Sequence, residues 1–178
     1  VATCCCFRRR TSSAIFFPPV RNVKLRIVVV GKPRRDVVDT FVADYLARLK
    51  PIWQTELVAV AEERIATGRT EGEILAKEAE RLRDKVPAGW VTVALDRTGM
   101  ALDSGEFADA LRSWQDSSVR GVAFVIGGAV GLDPAFARGC ALRLSLGPMT
   151  FPHDLALVVL AEQIYRAATI VKGLPYHR

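Results

Sequence analysis

The stretch Gly121-Val122-Ala123-Phe124-Val125-Ile126-Gly127-Gly128-Ala129-Val130-Gly131-Leu132-Asp133 decides the fold class. A short apolar run bounded by glycines reads as a strand buried on both faces, and such strands belong to parallel sheets covered by helices. The glycines after it let the backbone bend sharply and approach a ligand closely. Asp133 can then cap a short helix. Strand, glycine loop and helix in that order form the repeating unit of an α/β protein.

The same alternation extends outward in both directions. Upstream, 23–30 is a β-branched run broken by Gly31-Lys32-Pro33, and Asp36 opens a helix to about residue 50. That helix has Val37, Phe41, Tyr45 and Leu49 on one face and stops at Pro51. A strand over 55–61, a polar turn over 67–72 and a charged helix over 73–86 follow, the helix with Ile74, Leu75, Ala79 and Leu82 inward. Next come a strand over 90–95, a loop Asp96-Arg97-Thr98-Gly99, and a helix from Ser104 to about 115 carrying Phe107, Leu111 and Trp114. Downstream lie a strand over 142–146, a loop over 147–153 and a final helix over 154–171. The expected fold is α/β, a mainly parallel sheet with helices on both faces. In such sheets ligands bind beyond the carboxyl ends of the strands, where the loops after Leu95, Ile126 and Leu146 all emerge.

Charge divides the chain unevenly. Residues 1–35 hold nine Lys or Arg and no acid, whereas the rest holds sixteen basic and nineteen acidic residues, so +9 is followed by −3. The folded part therefore lacks the spread of basic charge typical of a polyanion binder, and RNA contact would need a local patch such as Lys32, Arg34 and Arg35. Residues 1–22 are Arg-rich, acid-free and end near Pro18-Pro19. They read as an organellar transit peptide, placing the protein in chloroplast or mitochondrion, or as an artefactual or disordered extension of a cytoplasmic protein. The folded domain is expected over 23–178. Cys4, Cys5, Cys6 and the distant Cys140 match neither a zinc site nor a disulfide framework, so no metal is expected. The longest apolar run, 155–160, is far too short to cross a bilayer.

The glycines at 127, 128 and 131 suit a nucleotide-like ligand, yet the loop lacks the early position and downstream acid of the dinucleotide fingerprint. The uncharged loop 147–153 can present backbone groups to an adenine edge. His153, just before the last helix, reads as a cap or a buried hydrogen-bonding group, and Glu162 and Arg166 are spaced to pair along that helix. The helix is apolar on most other faces, which calls for burial, with a subunit interface as one place for it. The chain closes on Gly173-Leu174-Pro175-Tyr176-His177-Arg178, an aromatic ring, an imidazole and a guanidinium held off the helix by glycine and proline.

Five segments together carry a resemblance: Val93-Ala94-Leu95-Asp96 with Gly99, the Ile-Gly-Gly-x-x-Gly at 126–131, the Leu-x-x-x-Thr-x-Pro-His at 146–153, Glu162-Gln163-x-Tyr165-Arg166-Ala167, and the terminal Pro175-Tyr176-His177-Arg178. In this order and spacing, residues 24–178 resemble the bacterial large-subunit ribosomal RNA methyltransferase H family, knotted SPOUT-class enzymes that methylate N3 of a pseudouridine. The resemblance implies a trefoil knot at the C-terminal side of the sheet (the alpha-beta knot). It implies S-adenosyl-L-methionine as cofactor, held at Leu95, Gly127, Leu146, Gly147, Pro148, Met149, Thr150 and Phe151. It also implies a homodimer in which one subunit's tail completes the other's site, acting on large-subunit rRNA or the assembled ribosome. Bacterial members often carry Pro-Glu where this chain has Ala129-Val130, so no role of that acid transfers.

Within that scheme the catalytic candidates are His177, Tyr176, Arg178 and Arg166. His177 is expected to take the proton from the acceptor nitrogen, because an imidazole titrates near neutrality. Arg178 or Arg166 would hold a phosphate or a developing carbonyl charge, and Tyr176 would stack on a flipped base. Two other readings are a non-catalytic ribosome-binding protein of the same fold and a different nucleotide-dependent enzyme, such as a dehydrogenase using the glycine loop.

Overall fold

Period-two alternation along the first strand sorts the core into two layers. In the computed structural model, which describes residues 23–32, 36–64, 68–117 and 119–177, strand β1 is Lys24–Val30. Its Leu25, Ile27 and Val29 join one apolar cluster and its Val28 and Val30 another, as side chains on opposite sides of a pleated strand must. The other strands are β2 (Gln54–Val60), β3 (Val91–Ala101), β4 (Val122–Ile126) and β5 (Leu142–Ser145). They form one sheet in the order β2-β1-β4-β3-β5, with every pairing parallel. Central β4 is buried along its whole length, as its unbroken apolar run requires.

Helices cover both faces. On one lie α1 (Asp36–Leu49), α3 (Ser104–Asp116) and α5 (His153–Lys172), with α5 packed on both of the others. Leu157, Leu160 and Ile164 of α5 press on Ile27, Val29, Phe124 and Ile126, flanked by Phe107, Leu111 and Trp53. The Trp53 ring is fully buried, and its Nε1–H donates to Gln115 Oε1 at 3.1 Å, so the indole brings no unpaired donor into the core. On the other face, α2 (Glu71–Lys85) and the short α4 (Pro134–Arg138) set Ala79, Leu82, Phe136 and Ala137 against Val28, Val30, Ala94 and Val125. Among the described residues no helix is long and apolar enough to cross a membrane.

Several expectations need correction. Asp96-Arg97-Thr98-Gly99 does not leave the third strand; it bulges within it. Leu95 and Met100 both pair with Leu144, so the intervening residues loop out while β3 continues to Ala101. In α1, Leu49 is buried but Val37 and Phe41 are exposed; Val38, Val42 and Leu46 face the core instead. The inward stripe is thus rotated by one residue from the expected one. His153 starts α5 but does not cap it, because Pro152 holds the cap position without a side-chain hydrogen bond. Most of the apolar surface of α5 is covered by α1, α3 and the sheet within this one chain, leaving Leu155 exposed and Val158 and Val159 half-buried. Residues 1–22, with Cys4, Cys5 and Cys6, lie outside the described residues, as do Arg34 and Arg35; Lys32 is exposed.

Candidate active site

Because all five strands are parallel, the bulge of β3 and the outgoing segments of β4 and β5 come to the same edge of the sheet. A cavity of about 590 Å³ opens there. Its walls are the β3 bulge at 95–98, the glycine loop at 126–132 and the segment after β5. Of the cofactor residues expected from the sequence, Leu95, Gly127, Leu146, Gly147, Met149, Thr150 and Phe151 line it, while Pro148 stands in the same loop but not on the wall.

Each wall is locally self-supporting. The glycine loop closes on itself: Gly131 N–H donates to the Gly128 carbonyl at 3.1 Å, and Gly131 has a φ of +88°. A Cβ on Gly127 would stand 2.2 Å from the Gly131 carbonyl oxygen, so only glycine fits. In the bulge, Asp96 Oδ1 accepts from the Thr98 N–H at 2.9 Å and the Thr98 hydroxyl at 2.8 Å, and Oδ2 accepts from Arg143 at 3.2 Å. Burial works to raise the Asp96 pKa, but the Thr98 bonds and the Arg143 charge outweigh it and hold the carboxyl below its usual range. Gly99 is needed because a Cβ there would meet the Arg143 carbonyl oxygen at 2.4 Å. The bulge and the loop after β5 meet at Ser145, whose hydroxyl accepts from Gly147 N–H at 3.1 Å and lies 3.1 Å from the Arg97 carbonyl.

Sequence reading missed Arg143 on the cavity wall and Ser145 behind it, and gave Thr98, within a loop expected there, no role. The available signal was weak: a lone arginine and a serine inside the short apolar strand 142–145. His153 also lines the cavity, with Nε2 at 3.1 Å from Asp154 Oδ1. A smaller cavity of about 400 Å³ shares the walls Leu144, Leu146 and Gly147 and reaches Ser104, Val159 and Gln163.

The other group of candidates sits elsewhere. Glu162 Oε1 accepts from Arg166 Nε at 3.0 Å and Nη2 at 2.7 Å, so the expected helix pair is present. The Tyr176 hydroxyl donates to the same oxygen at 3.2 Å. The chain's three tyrosines gather here, with ring centroids 6.0 Å apart for Tyr45 and Tyr165 and 4.7 Å for Tyr165 and Tyr176. The Arg166 guanidinium lies 5.0 Å from the Tyr176 ring centre. Burial, the Tyr45 hydroxyl and the Glu162 charge push the Tyr176 phenol up to about 12. The Arg166 pKa is raised by its hydrogen bond to Glu162. Neither Arg166 nor Tyr176 lines the large cavity. The backbone of His177 ends a closing 3-10 turn, Pro175–His177; its side chain and all of Arg178 lie outside the described residues.

Residues 23–177 match a family model described as "Predicted SPOUT methyltransferase". The chain belongs to the SPOUT methyltransferase family. Among curated relatives, a "Ribosomal RNA large subunit methyltransferase H" of Gemmatimonas aurantiaca is 42% identical over 158 residues, covering 88% of this chain and 100% of that protein. A protein of the same name from Dinoroseobacter shibae is also 42% identical, over 162 residues, covering 88% of this chain and 99% of its own. The crystal structure of a probable methyltransferase from Bordetella pertussis Tohama I superimposes with a TM-score of 0.50 at 19% identity, covering 82% of this chain and 96% of that one. That likeness is one of fold, and it agrees with a parallel sheet flanked by helices. Within the SPOUT chain, the expected cofactor residues gather at one cavity and two of the expected catalytic residues at a separate cluster.

Proposed function

We propose that this SPOUT protein is an S-adenosylmethionine-dependent methyltransferase acting on N3 of a pseudouridine in large-subunit ribosomal RNA. The observation that carries the reading is the convergence of 95–98, 126–132 and 144–151 on one cavity of about 590 Å³. Its chemistry fits a nucleoside cofactor: backbone-rich glycine turns, apolar walls at Leu95, Leu146 and Phe151, and a glycine loop whose tight crossing at Gly127 and Gly131 brings main chain to the cavity wall. Leu95, Gly127 and the segment 146–151 would hold it. When bound, S-adenosylmethionine supplies an electrophilic methyl group.

The chain's own part is alignment, exclusion of water and management of the acceptor's proton. The imidazole of His177 takes that proton, and Arg178 or Arg166 holds phosphate or carbonyl charge on the RNA. Because Arg166 and Tyr176 do not line the cavity of their own chain, the reading includes a homodimer in which the tail of one protomer serves the cavity of its partner. It also includes the trefoil knot that the family resemblance implies. The near-neutral folded part favours the assembled ribosome, which offers a preformed shape, over naked RNA.

Mass spectrometry of large-subunit rRNA from cells lacking the protein tests the proposal. The expected result is loss of a single methyl on a pseudouridine, restored by the purified protein with S-adenosylmethionine and ribosomes. An unchanged methylation pattern overturns the reading.

A further inference from the structure

Glu78 is the least expected residue in the core. It lies at mid-helix in α2, 3% exposed, on the side that packs against the sheet. Its Oε1 accepts from the Glu63 backbone N–H at 3.0 Å, just past the end of β2. Its Oε2 is buried and, among the described residues, makes no hydrogen bond of ordinary geometry. Burial, and after it the charge of Glu62, raises the Glu78 pKa; Arg81 and the backbone N–H of Gly128, which faces the carboxylate, offset part of that rise. An under-satisfied carboxylate in the interior is costly, so its presence calls for a reason.

The geometry supplies one. A Cβ on Gly128 would stand 2.9 Å from Oε2 and 3.0 Å from a Val30 methyl, so the rear of the glycine loop rests directly on this carboxylate. The sheet order puts β1 between β2 and β4. Glu78 thus reaches across the end of β1 and ties the segment after β2 to the loop after β4. The other side of that loop is cavity wall. On its outer side the tie is anchored by Glu63, whose carboxylate is gripped by Arg69, Lys77 and Arg81.

We propose that Glu78 is a positioning residue for the cofactor, acting through the glycine loop: held at one oxygen by Glu63 N–H, it fixes Gly128 from behind and sets the spacing of the wall that receives the nucleoside. The effect on cofactor binding rests on the function proposed above, whereas the effect on the loop does not.

Glu78→Gln keeps the side chain's size and the acceptor for Glu63 but removes the second carboxylate oxygen. In the ligand-free protein, amides 127–132 should exchange with solvent about tenfold faster than in the parent, with the β1 and β4 amides unchanged. S-adenosylmethionine should bind about fivefold more weakly by calorimetry, and its KM should rise, with kcat at saturation within about twofold of the parent. Unaltered loop exchange, or exchange accelerated equally across the sheet, overturns the positioning role; so does unaltered affinity in a variant whose parent binds the cofactor. Failure of the parent to bind S-adenosylmethionine overturns the proposed function instead, and loop exchange still decides the role of Glu78.

Discussion

At the scale of single residues, the site depends on places where a side chain cannot be. Gly127 and Gly131 cross so closely that a methyl group on Gly127 would need the loop to open. Gly127→Ala should leave the strands intact, since the clash is confined to the turn, but weaken S-adenosylmethionine binding by about a hundredfold, or about 3 kcal/mol, in a calorimetric titration. The tyrosine cluster makes a second prediction at this scale. An ordinary phenol titrates near 10, and in the folded protein that of Tyr176 is pushed up to about 12. A raised folded-state value favours the neutral form, so this contribution to stability is complete below about pH 10 and is lost as pH climbs toward 12. An ultraviolet titration of phenolate should show one of the three tyrosines ionising last, and Tyr176→Phe should remove that late step.

At the scale of elements, capping and bulging matter most. Helix α2 opens on a capping box: Thr70 Oγ1 accepts from Glu73 N–H at 3.3 Å, and Glu73 returns the bond to Thr70 N–H at 3.0 Å. Thr70→Ala should cost about 1 kcal/mol in urea unfolding, with the slope unchanged. Legibility in sequence follows from the same physics. The alternation of Leu25, Ile27 and Val29 with Val28 and Val30, and the unbroken apolar run of β4, announce a parallel sheet because burial imposes those periods. The glycine loop and the 147–153 loop were legible because turns of their kind need glycine and proline. The bulge at 96–99 was not, because its cause is remote: pairing with Leu144, and Arg143 pressed on Asp96 and Gly99, appear only once β5 is in place. Glu78 was hidden for a similar reason. Its spacing, four residues after Ile74 and four before Leu82, puts it on the inward stripe, but what meets it there, the Glu63 N–H and Gly128, comes from segments remote in sequence. The rotated face of α1 shows the limit of periodicity alone, since 37–41–45–49 and 38–42–46–49 are nearly equal stripes and packing chose the second.

At the scale of the whole molecule, cavity and C-terminal cluster are separate in one chain, and the proposed dimer would join them. That arrangement predicts complementation. A protein lacking Tyr176, His177 and Arg178 keeps a cavity without a tail, and Gly127→Ala keeps a tail without a working cavity. Each alone should be inactive, whereas refolding or co-expressing the two together should restore part of the parent's methyl-transfer rate through mixed dimers. Activity confined to the parent in that experiment would place tail and cavity in the same subunit.

The position of α5 has a consequence for biosynthesis. Its leucines and isoleucine close the face that β1, β4, α1 and α3 leave open, yet it is translated after all four of them. The nascent polypeptide therefore carries an oily trough, floored by Ile27, Val29, Phe124 and Ile126, until residues 153–172 have been added. Premature termination before residue 153 would release a species prone to clumping rather than a shortened enzyme.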